Sequence, residues 1–348
     1  ATSVSGKGCI NECHPLAVGW GYGKQGTHTA EKVFHHVDAV LALGVKFSEV
    51  STGFYCLPES KHLIHVDSNA DNLGKVMKTE VCVHADVGVF LQRLLSHREQ
   101  LCRPADRHLI EKIHKCKADD AAEHARPAKS CAVEPMSFIL ALRQATCQDA
   151  LVFVDVSASE HWAAEAFTVF QQRTYFNPTD NQSMGWSIPA SLGAQRVLPD
   201  RQVVTLTGDG CFLMSAMEIS TAAREQLPVK FFILDDKTYH YMQILQMQAY
   251  KRTTATVLAR IDYAAMAQGL GVQHVQIDCM ANLEGQIRAV LAKPGPVLVN
   301  VVTDYGKRDI RWIKAVRGRF TDELSADQKV RFLGRIGARS LAIKNTDD

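Results

Sequence analysis

The sequence predicts an α/β fold of two doubly wound domains with mostly parallel sheets. Short apolar runs alternate with helical patterns through most of the 348 residues, the alternation that βαβ units leave in a chain. The length exceeds what one ordinary core accommodates, so two cores are expected. A charged, His-rich stretch without strand-like runs separates two such series.

The first series comprises Asp38 to Gly44 (DAVLALG), His62 to Asp67 (HLIHVD) and Val81 to Asp86 (VCVHAD). Each run ends in a polar residue or glycine, where a strand meets its loop, and together they define a first domain over residues 1–97. Residues 98–133 are charged, with Pro104 and Pro127, and form a linker containing a helix; its histidines are most simply solvated surface. The second domain, 134–305, opens with a helix from Pro135 to Thr146. Strands follow at Leu151 to Val156, Gln202 to Thr207, Val229 to Asp235, Val272 to Ile277 and Val297 to Val302, with helices between them, one spanning Met214 to Gln226. The tail, 306–348, is helical and basic at first. Trp312, Val316 and Phe320 fall at helical spacing, so it is expected to pack on the second domain or on a neighbouring subunit.

Composition excludes several functions. Lys and Arg number 39 against 37 Asp and Glu, so the average field attracts neither nucleic acid nor an anionic membrane. No run of about 18 apolar residues could span a bilayer, and no signal peptide is visible, which points to the cytoplasm. The chain opens without Met and resembles the interior of a longer protein. The ten cysteines are scattered through strands and helices and are expected to be reduced thiols. Cys9, Cys13 and His14 look like half a metal site, but no second pair answers them at ligand spacing.

The sharpest chemical signal is Gly208-Asp209-Gly210 after the run QVVTLT, followed by a helix and the run VKFFIL that ends in Asp235-Asp236-Lys237-Thr238-Tyr239. Both acidic clusters fall at carboxyl ends of parallel strands, the edge where ligands bind in open α/β sheets. Glycines there let a phosphate approach the backbone, and the following helix offers its positive end. Asp209 and Asp236 supply hard oxygen ligands suited to Mg²⁺. A bare Gly-Asp-Gly also occurs in ordinary turns, and an aspartate pair can simply open one.

The surrounding text resembles the thiamine diphosphate (ThDP) enzymes of the acetolactate synthase family. Their cofactor motif is Gly-Asp-Gly, a helix, a strand and a pair of asparagines; GDGCFLMSAMEISTAAREQLPVKFFILDD has that layout. The resemblance implies that Asp209 and Asp236 bind Mg²⁺ through side chains, that Thr238 adds its backbone carbonyl, and that Gly208, Gly210 and Cys211 lie against the cofactor. The asparagine pair is here Asp235-Asp236, which adds negative charge beside the diphosphate. Upstream, Asn181 to Ala190 (NQSMGWSIPA) looks like the family's Gly-x-Met-Gly-x-x-Leu-Pro-Ala segment. By that match Met184 wedges ThDP into its bent shape, and the carbonyl of Gln182 accepts from the pyrimidine amine. Ser157 and Ser159 follow a strand where the family places its first diphosphate loop, although the family's Gly-x-His pattern is missing. His161 is equally explained by packing beside Trp162.

The first domain is similar to the latter part of the family's central domain, through Gly6-Lys7-Gly8, Glu12 to Leu16, Gly19, Gly26-Thr27, Ala30, Leu43-Gly44 and His65-Val66-Asp67. Some relatives hold FAD there and others nothing; no residue here decides it. The resemblance implies decarboxylation of a 2-oxo acid followed by carboligation, with ThDP as the electron sink. The activating glutamate of the family sits on a pyrimidine-binding domain that this sequence does not contain, so the catalytic residue is unknown and a pyrimidine-binding partner domain or subunit, in a homo- or hetero-oligomer, is expected. His240, Tyr241, Met242 and Gln243 follow the metal loop, either lining the substrate side or forming a buried helix face. Three readings stand: an enzyme working with that partner, a non-catalytic cofactor-binding regulatory or structural subunit, and last a nucleotide-binding dehydrogenase, for which no Gly-x-Gly-x-x-Gly opens a helix after a first strand.

Overall fold

The computed structural model describes residues 1–53, 55, 62–102, 104–124, 132–306 and 310–322, the last five as backbone alone. The expected tail beyond residue 322 and the side chain of Phe320 lie outside the described residues.

After an irregular N-terminal segment, α1 (His28–Phe34) is capped by Thr27, and β1 (Ala39–Leu43), α2 (Glu49–Thr52), β2 (His62–Asp67), β3 (Val81–His84) and α3 (Val87–Ser96) follow. The three strands form a parallel sheet in the order β1-β2-β3. Ala42 and Leu63 face its small core with Tyr22 and Phe47. On the other face Leu41, Ile64 and Val81 are cross-strand partners in one row, all exposed. Helix α4 (Arg107–His124) packs on α1, burying Ile113 against Val18 and Ala30.

The second half is larger. Its elements are α5 (Pro135–Ala145), β4 (Leu151–Val154), α6 (Ala158–Ala166), β5 (Tyr175–Phe176), α7 (Ser187–Val197), β6 (Val203–Gly208), α8 (Asp209–Ser215), α9 (Ile219–Arg224), β7 (Lys230–Asp235), α10 (His240–Tyr250), α11 (Tyr263–Leu270), β8 (Gln273–Ile277), α12 (Leu283–Leu291), β9 (Val297–Val302) and α13 (Arg311–Asp322). Six parallel strands are ordered β5-β4-β6-β7-β9-β8. Nearly every residue of β4, β6, β7 and β9 is buried, as sheets covered by helices on both faces require. The strands alternate between two cores. Val204, Leu206, Phe232 and Leu234 face α5, α6 and α12, whereas Val203, Phe231 and Ile233 face α7, α8, α9 and α11.

Two expectations need correction. The helix placed at Met214 to Gln226 is two helices: α8 starts at Asp209 itself, and a 3-10 turn at Ala216–Glu218 separates it from α9. The break follows from Ser215, whose φ of −142° leaves the helical region. The second concerns α10, whose face is half-buried: Tyr241 and Ile244 pack partly buried against the core, His240 meets Tyr305, and Met242 is exposed.

Candidate functional site

The strand order reverses at β4: the chain crosses to β5 on one side, then returns to β6 on the other. Crevices outside the carboxyl ends of strands form at such switch points. Four segments converge there: Asp155 to Ser157 after β4, Gly208 to Gly210 after β6, Asp236 to Tyr239 after β7, and the loop of 177–186 leading into α7.

Asp209 is 3% exposed, because α8 begins immediately beyond a fully buried strand. Its Oδ1 accepts from the N–H of Gly210 at 2.7 Å, and its Oδ2 accepts from the N–H of Lys237 at 2.6 Å. The second bond ties the end of β6 to the turn after β7. Lys237 reaches that position in the left-handed region (φ 63°). Asp236, one residue earlier, accepts at Oδ2 from the Thr238 hydroxyl at 2.8 Å and pairs with His240 Nδ1 at 3.3 Å. The turn is held from outside by Val257, which forms an antiparallel bridge with Thr238, and by the Leu258 N–H on the Lys237 carbonyl at 2.9 Å. Burial, and then repulsion from Asp236, push the Asp209 carboxyl up to about 7. Asp235 points elsewhere. It lines a 640 Å³ polar cavity with Tyr263, His274 and Asn300, and burial raises its carboxyl.

Gly208 has open space where a Cβ would stand, while a Cβ on Gly210 would come within 2.5 Å of the Tyr239 ring and 3.6 Å of the Met184 terminal methyl. Met184 is thus beside Gly210 and remains 40% exposed. Cys211 is buried, its thiol facing the Val156 carbonyl at 3.8 Å, and burial raises it far above its ordinary range. Among the described residues no group of three or more His, Cys, Asp or Glu side chains forms a metal cluster. The hard donors brought together here are the carboxylates of Asp209 and Asp236.

The serines are placed differently from one another. Ser157 caps α6 with φ 90°, a conformation glycine adopts without strain, and its Oγ accepts from the Ala158 N–H at 2.5 Å. Ser159 is 1% exposed, and its hydroxyl turns back to the Val156 carbonyl at 3.4 Å. His161 stacks on Tyr241 and on Trp312, at centroid distances of 5.8 and 5.7 Å, while Trp162 meets Tyr305 edge-on.

One residue organising this crevice escaped the sequence analysis. Asp155, fully buried, accepts at Oδ1 from the N–H groups of Val156 and Gly185, and at Oδ2 from the N–H and hydroxyl of Ser187. It thereby pins the segment bearing Met184 to the end of β4. Gly185 has φ 83°, and a Cβ there would lie 2.8 Å from Met214 Cβ. The loop can cross α8 so closely only with glycine at that point. Gln182 is also left-handed (φ 50°); its side chain donates to Glu160 Oε2 at 3.2 Å and to the Thr179 carbonyl at 2.8 Å.

The chain is similar to known proteins over most of its length. Residues 155–301 match the model of the thiamine pyrophosphate enzyme C-terminal TPP binding domain, and residues 1–94 that of the thiamine pyrophosphate enzyme central domain. Similar proteins include the acetolactate synthase isozyme 1 large subunit of Escherichia coli (strain K12), 28% identical over 306 residues, covering 85% of this chain and 52% of that protein. The acetolactate synthase large subunit of Parasynechococcus marenigrum is 30% identical over 305 residues, covering 86% and 49%. The probable acetolactate synthase large subunit of Methanocaldococcus jannaschii is 27% identical over 313 residues, covering 87% and 52%. The chain spans about half the length of the curated relatives it matches. With both family models spanning most of the chain, and with its acidic strand ends gathered at the sheet's switch point, the chain belongs to the thiamine pyrophosphate enzymes and is acetolactate synthase-like.

Proposed function

We propose that this chain grips the diphosphate end of ThDP through Mg²⁺ and serves 2-oxo acid decarboxylation and carboligation of the acetolactate synthase kind, together with a pyrimidine-binding domain or subunit. The observation that carries the reading is the bond from the Lys237 N–H to Asp209, which brings the acidic end of β6 to the acidic turn after β7. The donor set fits the group. Two carboxylates and a main-chain carbonyl are hard oxygen ligands, and Mg²⁺ commonly completes its shell with phosphate oxygens and water. A divalent ion would also offset the repulsion between Asp209 and Asp236.

In this reading Asp209 and Asp236 hold the cation with the Thr238 carbonyl. Gly208 and Gly210 admit the diphosphate to the backbone, beside Cys211. Ser157, at the cap of α6, flanks it from β4, and Ser159 shapes the loop from within. Met184 supports the bend of the cofactor, and Gln182 offers its carbonyl to the pyrimidine amine. When bound, ThDP supplies the electron sink for loss of CO₂ from the substrate. The chain's own residues bind, orient and shield. A rim of exposed Met184, Leu213, Met214 and Met217 beside the crevice supports a docking partner, since contiguous exposed apolar surface marks interaction sites.

Calorimetric titration of ThDP with Mg²⁺, with the chain alone and mixed with a pyrimidine-domain partner, tests the proposal. The expected result is binding that tightens in the mixture, CO₂ release from pyruvate only there, and at least about a tenfold weaker affinity in Asp236→Ala. Absence of binding under both conditions would overturn it. A second reading, a non-catalytic cofactor-binding subunit, is favoured by the aspartate pair replacing asparagines. Binding with no CO₂ release from the mixture would assign it.

A further inference from the structure

Glu160 is fully buried on α6, and its carboxyl contacts the loop that leads to Met184. The Thr179 hydroxyl meets Oε1, and Gln182 Nε2 donates to Oε2 at 3.2 Å. The same hydroxyl lies 2.6 Å from Asn177 Oδ1, whose amide nitrogen faces the Val4 carbonyl at 3.5 Å. Thr179 has a single hydroxyl proton and two acceptor oxygens within reach. Asn177 presents its oxygen because its NH₂ group is turned to Val4. The proton count closes when the carboxyl of Glu160 carries a proton and donates it to Thr179, which then donates to Asn177.

The surroundings favour that neutral form. Of the groups facing Glu160, the carboxylates of Asp155 and Asp180 disfavour a charge on it, the buried hydroxyls of Tyr175 and Tyr241 stay neutral, and the bonds from Thr179 and Gln182 act the other way. Burial, the largest effect, pushes the carboxyl up to about 7. Through this chain of bonds α6 holds Gln182 in its left-handed backbone conformation, which a non-glycine residue keeps only when its surroundings impose it.

We propose that Glu160 is a positioning residue: with Thr179 and Gln182 it clamps the loop of 177–184 and so aims the Gln182 carbonyl and Met184 at the cofactor. The consequence for ThDP rests on the function proposed above; the clamp itself does not. Loss of the proton leaves two oxygens competing for one hydroxyl hydrogen beside two further carboxylates, so the loop should loosen as pH rises. If only the neutral form is competent, raising pH from about 6 to about 8.5 lowers the competent fraction, and with it the apparent affinity, about 30-fold.

The test compares wild type, Glu160→Gln and Glu160→Ala at those two pH values by two readouts. One is hydrogen exchange of the 177–187 segment corrected for the intrinsic rate. The other is calorimetric ThDP affinity at saturating Mg²⁺. Glutamine mimics the neutral acid, donating to Thr179 and accepting from Gln182, so this variant should stay protected at both values, and its affinity should change with pH only as Asp209 titrates. Relative to the glutamine variant, wild type should lose at least about tenfold in both readouts at the higher pH, and alanine should be loose at both. Titration of Asp209 is common to all three proteins and cancels in the comparison. A glutamine variant that keeps the wild-type pH dependence, or an alanine variant as protected as wild type, overturns the clamp. Exchange that behaves as expected in a wild type that binds no ThDP keeps the clamp and removes the functional reading instead.

Discussion

Asp155 accepts four hydrogen bonds and donates none, so both oxygens are committed to donors from Val156, Gly185 and Ser187. Asn at this position would set an amide NH₂ against one pair of those donors. Bonds to a buried charged group are worth about 1.5–3 kcal/mol each, and an orphaned donor adds its desolvation. Asp155→Asn should therefore destabilise the fold by about 2–4 kcal/mol, read as a lower urea midpoint at unchanged slope. An unchanged midpoint would mean the segment bearing Met184 does not depend on this carboxylate. Gly185→Ala probes the same segment from the other side. Positive φ and a Cβ 2.8 Å from Met214 Cβ together should cost about 2–4 kcal/mol, whereas Gly193→Ala, with nothing near its added Cβ, should not destabilise and serves as the control.

Two segments join the halves: the irregular N-terminal stretch, whose Gly8 and Glu12 bond to Arg173 and Val169, and α13. Arg311 donates from Nε to the Gly26 carbonyl at 2.5 Å and pairs with Glu31 of α1, while the Trp312 indole donates to the Val50 carbonyl of α2 at 2.9 Å. Ile310, Trp312 and Ile313 meanwhile belong to the core of the six-stranded sheet. Trp312→Ala should cost about 3–5 kcal/mol, because the same side chain fills one core and bonds to the other half; a transition at the wild-type midpoint would contradict this. Helical spacing revealed that α13 exists, but spacing identifies a face and not its target, so the bridge to α1 and α2 was illegible. The buried strands were easy to place because full burial writes itself as apolar runs; β5, only Tyr175–Phe176, leaves no run. Asp209 and Asp236 stood out because strand, motif and helix follow in a fixed order. Asp155 did not, since a polar residue at a strand end is ordinary, and its partners lie about thirty residues away in a loop no local rule positions. The break at Ser215 was hidden for a similar reason: the loop through Gly185 takes up the Ser215 hydroxyl at 2.7 Å, a contact between distant segments.

Stability of the whole molecule against pH gathers two adjacent buried groups that act in opposite directions. Burial raises Glu160 from 4.5 to about 7, so between those values the folded chain holds a proton that the unfolded chain has released. Its contribution is present at low pH and lost as pH rises through about 7. Burial lowers His161 from 6.5 to about 4, so there the unfolded chain holds the extra proton. That contribution is present above 6.5 and lost as pH falls through about 4. Each shift corresponds to an effect on the order of 3 kcal/mol, and over the shared window the two slopes oppose each other. Removing either group should therefore uncover the other. Relative to wild type, Glu160→Gln should gain on the order of 3 kcal/mol in urea stability as pH climbs from about 4.5 to about 7. His161→Phe, which keeps a ring between Tyr241 and Trp312, should gain a similar amount as pH falls from about 6.5 to about 4. Taking differences against wild type removes every other titrating group, including Asp209, so curves that run parallel to wild type in both variants would show that neither side chain is buried in the state assigned to it.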